Sequence, residues 1–112
     1  MTSIWLPGFT SPILITSILW LEGDVSYTRI HHVDGRISTV TKPLNYFASL
    51  AGLIRVHRSA IVNSIYVQRL AHTKGRWGYL YLANAKVVVV SRTYLPQIIS
   101  LFPQEPIQEE IW

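Results

Sequence analysis

Hydrophobic and polar residues alternate with a period of two along much of this chain, which is the pattern of β-strands that bury one face. The alternation is regular in residues 27–31 and again in 37–41, and Asp34-Gly35 between them suits a tight turn because glycine accepts a positive φ. This stretch therefore predicts a β-hairpin. Further short strands are predicted within 53–67, with turns around Ser59 and Asn63, and at 79–82, followed by a weaker turn at Asn84-Ala85.

Two apolar runs lack the alternation and predict strands that are buried on both faces. They are residues 13–21 and the four valines at 87–90. The first run has nine residues, whereas a membrane-spanning helix needs about 20, so no membrane segment is expected. Residues 1–12 contain no Lys or Arg, which argues against a secretory signal and predicts an irregular lead-in.

Helical spacing appears in two short segments. Pro43 suits the first turn of a helix of about ten residues over 42–52, and Gly52 suits its end. Ser91 is the predicted N-cap of a second helix, with Pro96 in its first turn and an apolar stripe that ends before Pro103. The stripe consists of Tyr94, Leu95, Ile98, Ile99 and Phe102, and an acidic tail at 103–112 follows it.

Composition narrows the class of protein. A chain of 112 residues with 49% hydrophobic and 14% charged residues is expected to fold as one domain. All ten Lys and Arg residues lie between positions 29 and 92, where Asp34 is the only acid, so this stretch has a net charge of +9. Charge of this density favours a polyanionic partner such as DNA, RNA or an anionic membrane surface, although a merely solvated basic surface accounts for it equally well.

An enzyme is not predicted. The absence of cysteine excludes disulfides, thiolate metal sites and cysteine nucleophiles, and it is compatible with a cytoplasmic location. His31 and His32 are adjacent on a predicted strand and point to opposite faces, so they cannot both ligate one metal ion without a bulge. The chain contains none of the common phosphate-binding, nucleophile-elbow or zinc motifs, and we expect no catalytic residues, no metal and no cofactor.

The densest cluster of polar residues lies at 55–63. Strand alternation places His57 and Arg58 on opposite faces, so a buried His57 needs a backbone carbonyl or a nearby hydroxyl as its partner. Arg58 is then left free to bind a partner. Asn63 falls at a turn, where an amide side chain commonly bonds the local backbone.

Several segments taken together resemble the LytTR family of bacterial DNA-binding domains, which serve as output domains of response regulators. They are Trp20-Leu21-Glu22-Gly23-Asp24, Tyr27-Thr28-Arg29-Ile30-His31, residues 44–53, Arg55-Val56-His57-Arg58-Ser59-Ala60-Ile61-Val62-Asn63 and Val89-Val90-Ser91-Arg92-Thr93-Tyr94. The resemblance covers residues 13–102 and implies a mainly β fold, with short antiparallel strands in small sheets and one or two short helices. No receiver domain fits before residue 13, so the chain is expected to be a free-standing regulator or an excised domain.

The resemblance also implies a mode of DNA binding in which loops, rather than a recognition helix, enter the major groove. Carried over by position, the contacts are the 24–28 loop through Tyr27 or Thr28, the His-Arg-Ser turn through Arg58, and the Ser-Arg step through Arg92. Asn63 closes the second motif and is a further candidate. Arginine and lysine side chains elsewhere are candidates for phosphate contacts, namely Arg29, Arg55, Arg69, Lys74 and Arg76.

The resulting hypothesis is a cytoplasmic transcription regulator that binds double-stranded promoter DNA. Family members usually act on tandem or imperfect direct repeats, which implies two copies per operator and allows a homodimer on DNA. The alternative is a small β-rich protein-interaction module that pairs with or inhibits a related regulator through an exposed edge at 13–21. RNA binding is a weaker alternative, with Tyr27, Tyr79 and Tyr81 stacking on unpaired bases.

Overall fold

The computed structural model describes residues 3–6, 8–73 and 76–102. In this part of the chain there are ten strands, β1 (Ser3–Ile4), β2 (Ile13–Leu14), β3 (Ile18–Asp24), β4 (Tyr27–His32), β5 (Ile37–Val40), β6 (Leu53–His57), β7 (Ala60–Asn63), β8 (Val67–Thr73), β9 (Trp77–Leu82) and β10 (Val87–Val90), and one α-helix, α1 (Leu95–Leu101). Short 3-10 turns lie at Ile15–Ser17, Leu44–Phe47, Ser64–Tyr66 and Ala83–Ala85. The described residues contain no helix with the length and apolar character of a membrane span.

The strands form three antiparallel sheets. A five-stranded sheet has the order β5-β4-β3-β7-β6, a three-stranded sheet has the order β10-β9-β8, and β1 pairs with β2. Leu21 at the centre of β3 lies opposite Ile30 on one side and Ile61 on the other. The predicted fold class, mainly β with small antiparallel sheets and a short helix, is confirmed.

Both faces of the five-stranded sheet are buried. One face packs against the three-stranded sheet and α1 in a cluster that includes Leu19, Trp20, Val56, Val62, Leu70, Leu80, Val90, Leu95 and Ile98. The other face packs against the amino-terminal segment and the 44–47 turn in a cluster that includes Leu6, Ile13, Ile18, Leu21, Ile30, Leu44, Phe47 and Ile61. Successive residues of β7 enter opposite clusters because side chains alternate across a sheet. In β3 a register shift between Ile18 and Trp20 places Leu19 and Trp20 in the same cluster.

The apolar run at 13–21 is broken rather than one continuous strand. The Ser17 hydroxyl donates to the Leu14 carbonyl at 2.8 Å, and this local bond accompanies the 3-10 turn that separates β2 from β3. Within β3, residues 20–22 pair with β4 on one side and with β7 on the other. This part of the run is therefore not a sheet edge.

The four valines of β10 are not buried on both faces, so that prediction is wrong. Val88 and Val90 lie in the core, whereas Val87 and Val89 are each 43% exposed. The physical reason is that the three-stranded sheet is an outer layer with only one covered face. An uninterrupted apolar run cannot distinguish this arrangement from full burial.

The predicted ten-residue helix over 42–52 is also wrong. Only Leu44–Phe47 forms a 3-10 helix, and the backbone bonds that follow it span three residues, such as the one from the Leu50 N–H to the Phe47 carbonyl. Three-residue spacing is the period of such turns and brings Leu44, Phe47 and Leu50 to one face. Gly52 then adopts a positive φ of 87° before β6 begins.

The other local predictions have mixed outcomes. The β4–β5 hairpin is confirmed, with Gly35 at φ 95°, and so is the turn at Asn84-Ala85, where both residues have positive φ. The helix near the carboxyl end begins at Leu95, so Ser91 is not its N-cap, although Pro96 does occupy the first turn. The lead-in is not wholly irregular because β1 lies within it. The acidic tail lies outside the described residues.

The buried side chain of Asn63 binds the backbone of the 3-10 turn between β2 and β3. Its side chain is 1% exposed, and Nδ2 donates to the carbonyls of Ile15 and Ile18 at 3.0 and 2.8 Å. Its Oδ1 accepts from the Ile65 N–H, which caps the 64–66 turn. One amide thus satisfies three backbone groups around the end of β7.

Replacing Asn63 with Ala is therefore expected to lower the free energy of unfolding by at least about 2 kcal/mol, because two buried carbonyls lose their donor. Urea unfolding monitored by tryptophan fluorescence measures this change. Gln68→Ala removes an exposed amide and serves as the control, with an expected change within about 0.5 kcal/mol. Equal stability of the two variants would contradict the structural role of Asn63.

His32 makes the fold sensitive to mild acid. Burial lowers the pKa of His32 below its usual value of 6.5, and the Arg36 guanidinium lowers it further. Nε2 bonds the Ser38 hydroxyl at 2.9 Å, and the buried Nδ1 has no partner in the described structure. The unfolded chain therefore protonates His32 more readily than the folded chain does. The stability that comes from keeping His32 neutral in the fold is complete above about pH 6.5 and is lost as the pH falls below it.

The free energy of unfolding is thus expected to decline between about pH 7.5 and 5.5. His32→Gln should make the decline shallower than in the wild-type chain, since it removes one titrating group. Comparing slopes rather than absolute stabilities cancels the contributions of the other histidines and the cost of the substitution itself. Identical slopes would show that His32 is not the sensitive group.

Candidate nucleic-acid interface

Three connecting segments meet at one end of the five-stranded sheet. They are the β3–β4 turn at 24–27, the β6–β7 turn at 57–60 and the step after β10 at 91–92. The Gly23 N–H donates to the Ser59 carbonyl at 2.9 Å, which ties the first segment to the second. The Ser91 N–H donates to the Val56 carbonyl at 3.0 Å, which ties the third segment to the strand that leads into the second.

The β6–β7 turn is fixed by His57. Its Nδ1 accepts from the backbone N–H of Ser59 at 3.1 Å and bonds the hydroxyl of the same residue at 2.9 Å. The hydroxyl partner predicted from the sequence is thus present. Because Nδ1 is an acceptor, the neutral ring carries its proton on Nε2. This arrangement holds the intervening Arg58 at the tip of the turn.

Arg55 braces the same turn from the preceding strand. Its Nε donates to the His57 carbonyl at 2.9 Å, and an Nη donates to the Arg58 carbonyl. The guanidinium of Arg55 is predicted from the sequence to bind phosphate oxygens. In the structure it binds two backbone carbonyl oxygens, which carry partial negative charge. The structure gives Arg55 a role in positioning the turn that carries Arg58, and its phosphate contact stays a prediction.

Arg58 and Arg92 themselves are exposed. No side chain in residues 3–6, 8–73 and 76–102 forms a hydrogen bond or ion pair with either guanidinium. Each retains a planar set of donors that faces solvent. The two side chains predicted to contact DNA directly are thus available for a ligand.

The first segment differs from the prediction in detail. Thr28 is fully buried, and its hydroxyl donates to the Lys42 carbonyl at 2.8 Å, so it cannot reach a partner. Tyr27 is half-buried beneath Arg29, whose guanidinium lies 5.6 Å from the ring centre. Val25 and Ser26 are the exposed residues of this turn. Sequence reasoning did not single out Val25 because Val-Ser is not a typical turn pair.

Asn63 and Lys74 are the remaining predicted site residues. The Asn63 side chain is buried with its amide on backbone groups, so in this structure it does not face the surface formed by the three segments. Lys74 lies outside the described residues.

A groove of about 500 Å³ separates the first two segments. Its walls include Asp24 and Val25 on one side, Arg55, Arg58 and Ser59 on the other, and the 43–45 segment at its base. Asp24 pairs with Arg29 at 3.4 Å, so its carboxylate is partly neutralised. The groove is therefore open, polar and bordered by an unpaired cation.

A second, smaller groove of about 180 Å³ brings Glu22, His57 and Ser59 together between the sheets. A serine, a histidine and a carboxylate can form a nucleophilic triad when the acid orients the histidine. Here the Glu22 carboxylate bonds Nε2 of His31 at 3.0 Å instead, and Ser59 bonds His57 within a local turn. The geometry serves to fix the turn and does not form a catalytic relay.

Comparison with known proteins identifies the family. The family model described as the LytTr DNA-binding domain matches residues 10–102 of the chain. The chain belongs to the LytTR family of DNA-binding domains. Its partner is therefore DNA, and the family is one of DNA-binding domains rather than of enzymes.

Solved structures show the same fold. The LytTr DNA-binding domain of a protein described as a methyl-accepting/DNA response regulator from Bacillus cereus is similar, with a TM-score of 0.71 and 21% sequence identity. The match covers 89% of this LytTR domain and 94% of the other chain. No curated protein sequence matches the chain.

Substitution of Arg55 can distinguish a role in fixing the β6–β7 turn from a direct contact with a DNA phosphate. Arg55→Lys keeps the charge but cannot bridge two carbonyls, so specific DNA affinity is expected to fall about tenfold. The slope of log affinity against log salt should stay nearly unchanged, whereas loss of a phosphate contact lowers it by about one.

The exposed Arg76 offers the matched control, because Arg76→Lys also keeps the charge and the Arg76 guanidinium binds no backbone carbonyl among the described residues. Fluorescence anisotropy with a specific duplex across a salt series provides both readouts. Wild-type affinity for Arg55→Lys, together with a reduced slope for Arg55→Ala, would instead identify Arg55 as a phosphate contact.

Proposed function

We propose that this LytTR domain is a sequence-specific transcription regulator that reads the major groove with arginines carried on loops. The observation that supports the proposal most strongly is the convergence of Arg58 and Arg92. Both side chains are exposed and unpaired, and both belong to segments tied together by backbone hydrogen bonds at one end of the sheet.

Guanidinium chemistry explains why two arginines suffice to give specificity. The planar group can donate two hydrogen bonds to O6 and N7 of guanine, which discriminates against other bases by about 1–3 kcal/mol. A braced turn supports this task because the guanidinium must approach the base edge at a defined angle. His57 and Arg55 provide that support for Arg58.

Affinity that is independent of sequence comes from the remaining cations. The stretch between residues 29 and 92 has a net charge of +9, which attracts the phosphate backbone and releases its counterions. We expect promoter sites built from tandem or imperfect direct repeats, each repeat holding one copy of the domain. The setting is the bacterial cytoplasm, where promoter DNA is accessible.

Selection from a randomised pool of duplexes, followed by sequencing of the retained fraction, tests the proposal directly. A shared short element that contains guanine supports it. Anisotropy at several salt concentrations should show affinity that falls as salt rises, with a slope of several phosphate contacts. Absence of binding even at low salt would overturn the proposal.

On the selected duplex, Arg58→Ala and Arg92→Ala are each expected to weaken specific binding by about five- to 150-fold, with little change in stability. Arg92→Lys should lose most of the same discrimination, since it keeps the charge but not the two-pronged donor. Arg36→Ala is the control, because Arg36 is exposed at the opposite end of β4 and pairs with Asp34. Unchanged specificity in both alanine variants would remove these arginines from the site.

A further inference from the structure

The β3–β4 turn contains a valine in an unusual backbone conformation. Val25 has a φ of 48°, in the left-handed region that glycine and asparagine favour. In the described residues the other non-glycine positions with positive φ are Asn84 and Ala85, neither of which is β-branched. A β-branched side chain is strained there because its Cβ substituents crowd the neighbouring peptide groups.

No burial among residues 3–6, 8–73 and 76–102 offsets this strain. The Val25 side chain is 96% exposed, so its isopropyl group contributes no burial to either core. The turn itself needs no valine, because glycine or asparagine would form it at lower cost. Strain that persists at an exposed position points to an interaction made outside the chain.

The position of Val25 indicates what that interaction is. Val25 lines the same groove as Arg58, in the segment that the Gly23 and Ser59 backbone bond ties to the β6–β7 turn. An isopropyl group neither donates nor accepts hydrogen bonds, so phosphates and polar base edges offer it nothing. The apolar feature of the major groove is the C5-methyl group of thymine.

We propose that Val25 reads a thymine by packing its isopropyl group against the C5-methyl group in the major groove. The inference rests on the proposed function and adds a second kind of base recognition to it. Arg58 selects guanine by hydrogen bonding, and Val25 selects thymine nearby by apolar contact. Cytosine is disfavoured at that position because it lacks the methyl group.

Removal of single methyl groups from the DNA tests the contact. In the duplex obtained by selection, each thymine is replaced in turn by deoxyuridine, which lacks only the C5-methyl group. One replacement is expected to weaken wild-type binding about fourfold, the equivalent of one buried methyl group at about 0.8 kcal/mol. For Val25→Gly the same replacement should have no effect, so the two losses are not additive.

Stability provides an independent readout of opposite sign. Val25→Gly and Val25→Asn remove the strain of a β-branched residue at positive φ, so both should raise the urea midpoint of unfolding. Both should also weaken binding to the thymine-containing duplex by about fourfold. A folding defect cannot produce that combination. Val87→Ala, which shortens an exposed valine on β10, is the control and should retain the sensitivity to deoxyuridine.

The outcomes separate the two proposals. Specific DNA binding with no deoxyuridine position that depends on Val25 would overturn the thymine contact and leave the regulator function intact. An equal loss for Val25→Gly on thymine and deoxyuridine duplexes would show that Val25 only shapes the turn, or serves a contact other than DNA, and would also overturn it. Failure of the wild-type chain to bind any duplex would instead refute the proposed function.

Discussion

Burial of both faces of β3 is the constraint on which the rest of the structure depends. Ile18 and Leu21 enter one apolar cluster, whereas Leu19 and Trp20 enter the other. Residues 20–22 of the strand are also paired on both sides, and the Asn63 amide donates to the Ile18 carbonyl at its start. A domain with one core could bury only one face of this strand. Here the five-stranded sheet lies between two apolar clusters, so both faces of β3 are buried.

The same constraint gives the interface its rigidity. Gly23 at the end of β3 lies so close to the 44–47 turn that a Cβ there would be 3.0 Å from the Leu44 Cβ. This close approach brings the Gly23 N–H and the Ser59 carbonyl into register. The loops at this end of the sheet therefore extend from packed strands and are fixed in the free domain, which reduces the entropy lost when a ligand binds there.

The sequence predicts local features well where the information is local. The β4–β5 hairpin follows from alternation and one glycine, and the hydroxyl partner of His57 lies two residues away. Failures occur where the outcome depends on distant residues. Asparagine is a common turn residue, but the Asn63 side chain binds the carbonyls of Ile15 and Ile18, which lie more than 40 residues earlier in the chain. Likewise, Thr28 lies on the buried face of β4, and its hydroxyl donates to the Lys42 carbonyl of a later segment.

The two arginines of the β6–β7 segment show why a candidate site cannot be read from residue type alone. Arg55 and Arg58 are three positions apart and have the same chemistry, yet one guanidinium binds the backbone and the other faces solvent. The difference arises from the turn between them, whose carbonyls point back toward Arg55. A turn whose carbonyls are already satisfied can present Arg58 in a fixed direction, and a fixed direction is what base recognition requires. Under the proposed function, specificity therefore depends as much on Arg55, which positions the turn, as on Arg58, which the turn presents.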